Sequence, residues 1–551
     1  MDYKENYRRW LERVEDENLR MELAAMDDAA MEDAFYRDLA FGTGGLRGTI
    51  GAGTNRMNIH VVARASQGLA NYLLATTPSP SVVIGFDSRI NSDLFARTAA
   101  AVFAANGVRV HLWPELTPVP SLSFAVRQLR ATQGVMITAS HNPSKYNGYK
   151  VYGADGCQIT TRVAAAILSE INAVDMFDGV RTMDFEDART RGLIGYIPDS
   201  VLTDYIEAVK GESVLFGDKI DRDVAIVYTP LNGTGLKPVT RVLAERGFTN
   251  ITVVEEQKYP DGRFPTCPYP NPEIREAMTL GLEYCRRVGA DLLLATDPDA
   301  DRCGIAVKTT DGDYRLLSGN EVGLLLLDFI CAQRTAHGRM PAHPIFVKTI
   351  VTMDLAERIA EYYGVSTVNV LTGFKYIGEV IGRMKDKRDY VFGFEESYGY
   401  LSGVYVRDKD GVNASLMICE MFAYYKTRGL SLLDRLAELY QTYGYCLNTL
   451  HSYEFPGSTG MNRMEAIMAD FRQGLDRVGG LEVVRIEDYS AGLTGLPRAD
   501  VLKFCTEQGS VVVRPSGTEP KLKLYISVTA DDVASARELE KRIAGDMERR
   551  M

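Results

Sequence analysis

Short apolar runs recur along the chain, and each is followed by a loop containing glycine or proline and then by an amphipathic helix. Runs of this kind predict buried strands, and their alternation with helices predicts α/β layers with sheets covered on both faces. The runs form three successive sets, at 81–86, 108–112 and 134–138, at 224–228, 251–254 and 291–295, and at 345–348, 367–371 and 390–394. The pattern therefore predicts three α/β units.

The pattern differs at both ends of the chain. Residues 5–38 are predicted to be helical with polar faces. Beyond Tyr445, strands are interleaved with helices, which predicts a smaller α+β domain. The predicted strands are 446–455, 501–505, 510–513 and 522–528, and the predicted helices are 461–477 and 531–547. We place the domains at 1–205, 206–318, 319–444 and 445–551.

Composition and charge restrict the partners. The chain has 551 residues and a net charge of -11, without a basic stripe, which argues against nucleic acid. An acidic protein repels a phosphate ester, so a site for one must be built from locally placed cations. The six histidines have no paired metal spacing, which argues against a histidine-rich zinc site.

The cysteines and the most apolar segments bear on location. The eight cysteines are scattered without a C-x-x-C pair, which is typical of reduced thiols in a cytosolic enzyme. The N-terminus is too charged for a signal peptide, and the most apolar run, around 323–331, is short and interrupted by Asp328. We expect a cytoplasmic protein without a membrane partner, and the oligomeric state stays open.

Ser140 lies in the segment Thr138-Ala-Ser-His-Asn-Pro143, directly after an apolar run. Ligands of open α/β sheets gather at the carboxyl ends of strands, so this serine is a candidate nucleophile or phosphoryl carrier. The G-x-S-x-G pattern of lipase-type hydrolases is absent from this segment. A loop serine that makes a local turn hydrogen bond is the alternative, and the hexapeptide alone leaves both open.

Three aspartates at alternate positions, Asp297, Asp299 and Asp301, follow another apolar run. Carboxylates this close repel one another unless a cation lies between them, which favours a hard-metal site over a solvated acidic turn. Their oxygens must converge, so we expect a tight loop. An EF-hand is excluded because Arg302 stands where that loop needs glycine and Lys308 where it needs glutamate.

Three further segments contain residue types or glycine patterns that could bind a ligand. Arg514-Pro-Ser-Gly-Thr-Glu-Pro520 combines a guanidinium, hydroxyls and glycine amides, which suits an anion, although an ordinary turn is the alternative. Gly393-Phe-Glu-Glu-Ser-Tyr-Gly399 offers carboxylates and a hydroxyl to a sugar, although paired carboxylates also occur in glycosidases and in charged loops. The glycine-rich segment 41–48 matches neither a P-loop nor a dinucleotide fingerprint.

Together these motifs resemble those of the α-D-phosphohexomutase superfamily, in order and in separation, from about residue 40 to 530. The pair Gly373-Phe374 with Lys375, and Arg407-Asp-Lys-Asp-Gly411, are most similar to the branch of α-phosphoglucomutases and phosphopentomutases. The resemblance implies three related α/β domains with mixed sheets around a central cleft and a C-terminal α+β domain.

The resemblance also implies roles for residues. Ser140 would carry a phosphoryl group, and a phosphoserine oxygen would join Asp297, Asp299 and Asp301 around Mg²⁺. Lys150 and Lys409 occupy the family positions for proton transfer, with His141 as the alternative, and Arg47 joins them in the catalytic set. The implied substrate-binding residues are Arg302, Thr372, Gly373, Lys375, Glu395, Ser397, Arg514, Ser516, Gly517 and Thr518.

The implied reaction exchanges glucose 1-phosphate and glucose 6-phosphate through a bisphosphate, with a sugar 1,6-bisphosphate such as glucose 1,6-bisphosphate as activator. Phosphopentomutase, phosphomannomutase and glucose 1,6-bisphosphate synthase stay open within the superfamily. A phosphatase with a phosphoserine intermediate and a silent sugar-phosphate sensor are the rivals outside it. If Arg47, Lys150, Arg302, Lys375, Lys409 and Arg514 line one cleft, the acidic protein still presents a positive site.

Overall fold

The N-terminal segment is helical in a computed structural model that describes residues 2–42, 44–455, 460–515 and 521–551. Helices α1 (Tyr3–Arg13), α2 (Glu17–Ala24) and α3 (Asp28–Phe35) confirm the helices predicted there. Trp10 and Phe35 are buried edge to face, with ring centroids 5.6 Å apart. These helices share a small apolar cluster with Ala52 and Phe177.

The first mixed sheet has the order β1–β5–β4–β2–β3–β6. Strands β4, β2, β3 and β6 run parallel, whereas β5 and β1 are antiparallel additions at one edge. The elements are β1 (Gly45–Thr49), α4 (Ile59–Thr76), β2 (Ser81–Phe86), α5 (Ser92–Ala105), β3 (Arg109–Leu112), α6 (Val119–Gln128), β4 (Gln133–Ile137), β5 (Tyr146–Gly153), α7 (Thr161–Ala173), α8 (Phe185–Thr190), β6 (Ile194–Tyr196) and α9 (Asp199–Gly211).

The second sheet repeats this plan with the order β11–β10–β9–β7–β8. Strands β8, β7 and β9 are parallel, and β10 and β11 add antiparallel strands beyond β9. The elements are β7 (Ile226–Thr229), α10 (Leu236–Glu245), β8 (Ile251–Val253), α11 (Glu255–Lys258), α12 (Arg275–Val288), β9 (Leu292–Thr296), β10 (Cys303–Lys308) and β11 (Tyr314–Leu317).

The third sheet has the order β13–β12–β14–β15, again parallel except for its last strand. A 3₁₀ turn at Lys387–Asp389 precedes β14. The elements are α13 (Gly319–Ala336), β12 (Ile345–Thr349), α14 (Leu355–Tyr362), β13 (Ser366–Val370), α15 (Phe374–Arg383), β14 (Tyr390–Glu395), β15 (Gly399–Leu401), α16 (Gly411–Thr427) and α17 (Leu432–Tyr443).

The C-terminal sheet is antiparallel, with the order β16–β22–β21–β20–β19, and α18 and α19 pack on it. Strands β17 and β18 form a separate hairpin, and 3₁₀ turns lie at Tyr489–Ala491 and Leu493–Gly495. The elements are β16 (Tyr445–Glu454), α18 (Gly460–Phe471), β17 (Arg477–Val478), β18 (Leu481–Glu482), β19 (Arg485–Asp488), β20 (Leu502–Thr506), β21 (Gly509–Pro515), β22 (Lys521–Ala530) and α19 (Val533–Arg549).

These mixed sheets and the smaller α+β unit confirm the predicted fold class, whereas the domain boundaries stay a prediction. The helix predicted at 461–477 is too long. It ends at Phe471, because Gly474 takes a left-handed conformation (φ 98°) that stops an α-helix. All eight cysteines are buried free thiols. None of the helices in the described part of the chain has the length and apolar character to cross a membrane.

One topological position recurs in the first three sheets. Strands β4, β9 and β14 each lie between a parallel neighbour and an antiparallel one. The loop after each of these strands turns the chain back into an antiparallel partner, so it must be short. The three loops are the serine loop (138–145), the aspartate loop (297–302) and the glutamate loop (396–398, directly after Glu395).

Candidate functional site

Each of the three loops contains a non-glycine residue in the left-handed backbone region. The residues are Ser140 (φ 53°), Ala300 (φ 50°) and Tyr398 (φ 62°). This region costs an L-residue about 1–2 kcal/mol, so the surrounding contacts must hold the turn. Backbone hydrogen bonds join two of the loops to other units: Cys303 N donates to Tyr398 O at 3.1 Å, and Val119 N donates to Asp299 O at 2.9 Å.

The serine loop and the aspartate loop meet face to face. Ser140 is 3% exposed, and its hydroxyl donates to Asp297 Oδ2 at 2.9 Å. The carboxylates of Asp297, Asp299 and Asp301 are buried, each offering an oxygen within 4.8 Å of the others. The two sequence motifs, more than 150 residues apart in the chain, therefore form one site.

The aspartate cluster has the donor set and the burial of a hard-cation site. Oδ1 of Asp299 and Oδ1 of Asp301 are buried and accept no hydrogen bond from the described residues. Mg²⁺ takes oxygen ligands at about 2.1 Å and so holds opposite ligands about 4.2 Å apart, which is compatible with oxygens that all lie within 4.8 Å of one another. Burial and mutual repulsion raise the pKa of Asp297 well above its ordinary value, and that of Asp301 as well. A divalent cation would remove this repulsion.

Two lysines contact the cluster from different units. Lys150 Nζ lies 2.9 Å from Asp299 Oδ2, and Lys409 Nζ lies 3.0 Å from Asp301 Oδ2. Burial works against the charged form of Lys409, but Asp301 and Asp408 outweigh it and raise the pKa of this lysine. Burial also works against the charged form of Asp299, which by itself would raise the pKa of this carboxyl. Lys150 outweighs burial, and the pKa of Asp299 is lowered. In this arrangement Lys409 carries a positive charge beside the cluster.

His141 and Arg47 flank the serine. His141 Nδ1 lies 3.3 Å from Ser140 Oγ. Burial, with Arg302 and Arg47 nearby, lowers the pKa of His141 well below its ordinary value, so the imidazole is neutral. Arg47 Nη1 donates to Asn142 Oδ1 at 3.3 Å, which brings a guanidinium to the serine loop.

The glycine-rich segment around Arg47 forms an edge strand. Residues Gly45–Thr49 are β1, and Gly45 lies opposite Lys150 on β5. A Cβ atom at Gly45 would lie 1.9 Å from Tyr149 O, and the φ of this glycine is 144°. Glycine is therefore required for the close approach that brings Arg47 and Lys150 to the same edge of the sheet.

A polar cavity of about 530 Å³ extends from His141 to the C-terminal unit. Of the predicted substrate-binding residues, Arg302, Thr372, Gly373, Lys375, Glu395, Ser397 and Arg514 line it, together with Lys409. Ser516, Gly517 and Thr518 were also predicted, and they lie outside the described residues. Arg302, Lys375, Lys409 and Arg514 thus share one cavity, while Arg47 and Lys150 lie at the Ser140 and Asp299 end of the site.

The cavity is lined by the side chains of Glu395, at the end of β14, and of Glu396, the first residue of the glutamate loop. Glu395 is 6% exposed, and Glu396 accepts a hydrogen bond from Thr349 Oγ1 at 3.2 Å. Burial raises the pKa of Glu395, Lys409 opposes that shift, and Glu396 adds to it. Arg302 forms an ion pair with Glu273 across the cavity wall, so its guanidinium is held in a fixed position.

Several residues of the site were absent from the sequence prediction. The cavity is also lined by Gln158, Asn320, Val351, Asn448, Thr449, Leu450, Lys523 and Tyr525. Asp87 and Arg89 lie behind the serine loop, where Asp87 Oδ2 accepts a hydrogen bond from Thr138 Oγ1 at 2.6 Å. Both residues follow the buried strand β2. Charged residues at the carboxyl end of a strand are a sequence pattern that could have identified them as site residues.

The sequence matches one protein family along most of its length. It matches the phosphoglucomutase/phosphomannomutase alpha/beta/alpha domains I, II and III over residues 38–177, 203–312 and 318–443. It matches the C-terminal domain of the same family over residues 460–545. All four domains of the family are therefore represented, in family order.

Individual relatives and solved structures agree with this match. A phosphoglucomutase of Staphylococcus aureus (strain MSSA476) is 37% identical over 540 residues, which are 95% of this chain and 96% of that protein. One of Staphylococcus saprophyticus is 35% identical over 538 residues, again 95% of this chain and 96% of the relative.

The fold is also similar to that of the Paramecium phosphoglucomutase pp63/parafusin in its open form, with a TM-score of 0.70 and 17% identity over 94% of this chain and 95% of that one. A Burkholderia thailandensis protein of the phosphoglucomutase/phosphomannomutase family has a TM-score of 0.67 at 19% identity, over 93% of this chain and 96% of that one. The motifs, the fold and the sequence identity over 95% of the chain lead to one conclusion: this chain belongs to the phosphoglucomutase/phosphomannomutase family.

Proposed function

We propose that this protein is a magnesium-dependent phosphoglucomutase that interconverts glucose 1-phosphate and glucose 6-phosphate through phospho-Ser140. One observation carries the proposal: the Ser140 hydroxyl contacts the buried aspartate cluster at the end of a cavity lined by cations from other units. A phosphoryl carrier needs a hydroxyl, a counter-charge for the transferring group and a separate site for the rest of the substrate. These elements lie together here.

Asp297, Asp299 and Asp301 would hold Mg²⁺ together with an oxygen of phospho-Ser140. When bound, the ion neutralises charge on the transferring phosphoryl group and orients it. The protein's own contribution is positional, because backbone hydrogen bonds from neighbouring units hold the aspartate loop, and the serine loop is held by bonds within its own unit. Lys150, Lys409 and Arg47 supply further positive charge at the same end of the cavity.

In the proposed transfer, each bond that breaks is matched by one that forms, and the proton is accounted for. The phosphorus–oxygen bond to Ser140 breaks, a bond from phosphorus to a sugar hydroxyl oxygen forms, and the hydroxyl proton ends on Ser140 Oγ. We assign the movement of this proton to the titratable groups around the aspartate cluster, Lys150, Lys409 and His141. The bisphosphate then turns in the cavity and returns its other phosphoryl group to Ser140, which gives the isomeric monophosphate.

Substrate contacts are assigned along the cavity. Glu395 and Ser397 would hold sugar hydroxyls, with Arg302, Thr372, Gly373 and Lys375 beside them. Arg514, with Ser516, Gly517 and Thr518, would grip the phosphate that does not react. An N-acetylphosphoglucosamine mutase of Aspergillus fumigatus with a similar fold (TM-score 0.51, 15% identity) was solved with GlcNAc-6P and magnesium, which supports a sugar monophosphate and a metal as ligands.

Glucose is the sugar we propose because the Staphylococcus relatives are named phosphoglucomutases at up to 37% identity. Glucose 1,6-bisphosphate would act as activator by phosphorylating Ser140 whenever the serine has lost its group. A cytoplasmic location remains a prediction from the sequence.

A substrate panel followed by ³¹P NMR tests this proposal. Purified protein with Mg²⁺ and glucose 1,6-bisphosphate should convert glucose 1-phosphate to glucose 6-phosphate faster than it converts mannose 1-phosphate, ribose 1-phosphate or deoxyribose 1-phosphate. Inorganic phosphate should not accumulate. Release of phosphate in step with substrate loss would instead indicate a phosphatase, and a higher kcat/KM for a pentose phosphate would overturn the choice of sugar.

A further inference from the structure

A buried arginine behind the serine loop contacts that loop at several points. Arg89 is 3% exposed and lies on the loop after β2. Its Nη1 donates to Pro143 O and Tyr146 O, each at 3.0 Å, and its Nη2 donates to the carbonyl oxygens of Ser140 and Asn142. One guanidinium therefore holds the loop from its start to its end.

The four carbonyl oxygens explain why an arginine is used. A guanidinium offers five donors in a planar fork, whereas a lysine ammonium offers three around a point. The carbonyl of Ser140 is among the four acceptors, and Ser140 is the loop residue with the unfavourable left-handed backbone. Arg89 thus contacts the strained residue directly.

The guanidinium is itself fixed from two sides. Asp87 lies beside it, with Oδ2 3.4 Å from Arg89 Nε, and Oδ1 accepts a hydrogen bond from the backbone N–H of Arg89 at 2.9 Å. On its other side Arg89 lies over the ring of Phe264, with Cζ 5.2 Å from the ring centroid. Phe264 belongs to the second unit, which also carries the aspartate loop.

Asp87 extends the connection to the reacting groups. Thr138 Oγ1 lies 2.6 Å from Asp87 Oδ2 and 3.1 Å from Asp299 Oδ2, and it accepts the backbone N–H of Ser140 at 2.8 Å. Asp87, Arg89 and Thr138 therefore connect the Ser140 backbone to the aspartate cluster.

We infer that Arg89 is a positioning residue of the phosphoryl transfer, which holds the Ser140 backbone so that its oxygen faces Asp297. This inference rests on the proposed function and adds a residue that touches neither substrate nor metal. Phosphoryl transfer is governed by placement, and a misplacement of about 1 Å can cost about a hundredfold in rate. Arg89 is not among the described residues that line the cavity that would bind the sugar, so binding should be preserved.

The test compares Arg89→Met and Arg89→Lys with a matched control, Arg64→Met. Arg64 lies in the same unit, donates to Ile171 O and Val174 O at 3.2 and 2.9 Å, and pairs with Asp38, away from the serine loop. We expect Arg89→Met to lower kcat about a hundredfold while KM stays within about threefold of wild type. The kcat of Arg89→Lys should lie between those of Arg89→Met and the wild type, and Arg64→Met should keep wild-type kcat.

Hydrogen exchange on peptides covering residues 138–147 gives a readout that needs no substrate. The backbone amides of Ser140, Asn142 and Tyr146 donate hydrogen bonds within this segment. They should exchange faster in both Arg89 variants, because the segment loses its support, and at the wild-type rate in Arg64→Met. This measurement separates a failure of the inference from a failure of the mutase proposal. If Arg89→Met does not fold, Arg89→Lys carries the test. Wild-type kcat and wild-type loop exchange in the Arg89 variant that folds, or an equal kcat loss in Arg64→Met, would overturn the inference.

Discussion

Ser140 Oγ donates a hydrogen bond to Asp297 Oδ2 at 2.9 Å, which joins the loop after β4 to the loop after β9. Both loops occupy the same topological position in their own sheets, where parallel pairing changes to antiparallel pairing. The third such loop follows β14 and brings Glu395 to the cavity. The site is thus assembled from one structural position used three times.

The aspartate cluster should make the protein's stability depend on metal. A ligand that binds only the folded state stabilises it by about 2.7 kcal/mol at a hundred times its Kd, so Mg²⁺ should raise the melting temperature of the wild type and chelation should lower it. Asp301→Asn should lose most of this rise, because one ligand is removed. Differential scanning fluorimetry across a Mg²⁺ titration measures both.

Asp313→Asn is the control for that titration, since Asp313 is exposed and pairs with Arg286 on the surface. It should respond to Mg²⁺ as the wild type does. An Mg²⁺ response in Asp301→Asn equal to that of the wild type would contradict the assignment of the cluster.

Lys409→Met should reduce kcat by about 10²–10⁴-fold, the range for loss of a positioned proton donor. It should also lower the melting temperature of the metal-free protein, because the buried Asp301 would lose the ammonium 3.0 Å away that stabilises its carboxylate. Mg²⁺ should restore part of that stability but not the activity. Steady-state kinetics and thermal unfolding with and without Mg²⁺ provide the measurement.

Lys426→Met is the matched surface change, since the Lys426 side chain is 41% exposed and pairs with Asp291. Surface pairs of this kind contribute about 0–1 kcal/mol, so we expect wild-type kcat and nearly wild-type melting. If Lys409→Met behaved like Lys426→Met, the proposed role of Lys409 would be wrong.

Arg514→Met should raise the KM for glucose 1-phosphate about ten- to a hundredfold, because a charged hydrogen bond to the distal phosphate contributes about 1.5–3 kcal/mol. Arg514 lines the cavity on β21. Arg485→Met on β19 of the same unit, where the side chain is 66% exposed and pairs with Glu487, should leave KM unchanged. An unaltered KM in Arg514→Met would argue against a distal phosphate site there.

Protonation of Glu395 should make kcat/KM fall on the acidic side of the pH profile, and this fall should occur at an unusually high pH for a glutamate. Its pKa is raised above the ordinary 4.5, chiefly by burial, so the carboxylate that accepts sugar hydroxyls forms only as the pH rises beyond that value towards neutrality. We therefore expect kcat/KM to increase as the pH rises through this range. Glu395→Gln should lower kcat/KM and flatten the limb in a pH profile; an unchanged limb would assign it to another group.

The sequence predicted the buried strands well, because apolar runs such as 81–86 and 390–394 contain their own signal. It also indicated Ser140 and the three aspartates as candidate site residues, since these residues follow such runs directly, and their chemistry stays a prediction. Strands β1 and β5 were harder to find, because Gly45 and Gly148 serve close backbone approach and break the apolar pattern.

Arg89 illustrates what local patterns cannot predict. Its four acceptors lie more than 50 residues away in the chain, and its aromatic neighbour Phe264 lies in another unit. Contacts between units depend on how the sheets pack, which hydrophobic periodicity does not encode. The same reason applies to Asn448 and Thr449, which face the cavity from β16 without any motif to mark them.

The most direct test follows the phosphate on Ser140 by intact-mass spectrometry before and after the resting enzyme is mixed with glucose 1-phosphate. The wild type should carry one phosphate, mapped to Ser140, and should pass it to the sugar in a single turnover. Ser140→Ala should carry none and lose nearly all activity, whereas Ser397→Ala should keep its phosphate. A fully active Ser140→Ala variant would contradict the proposed mechanism.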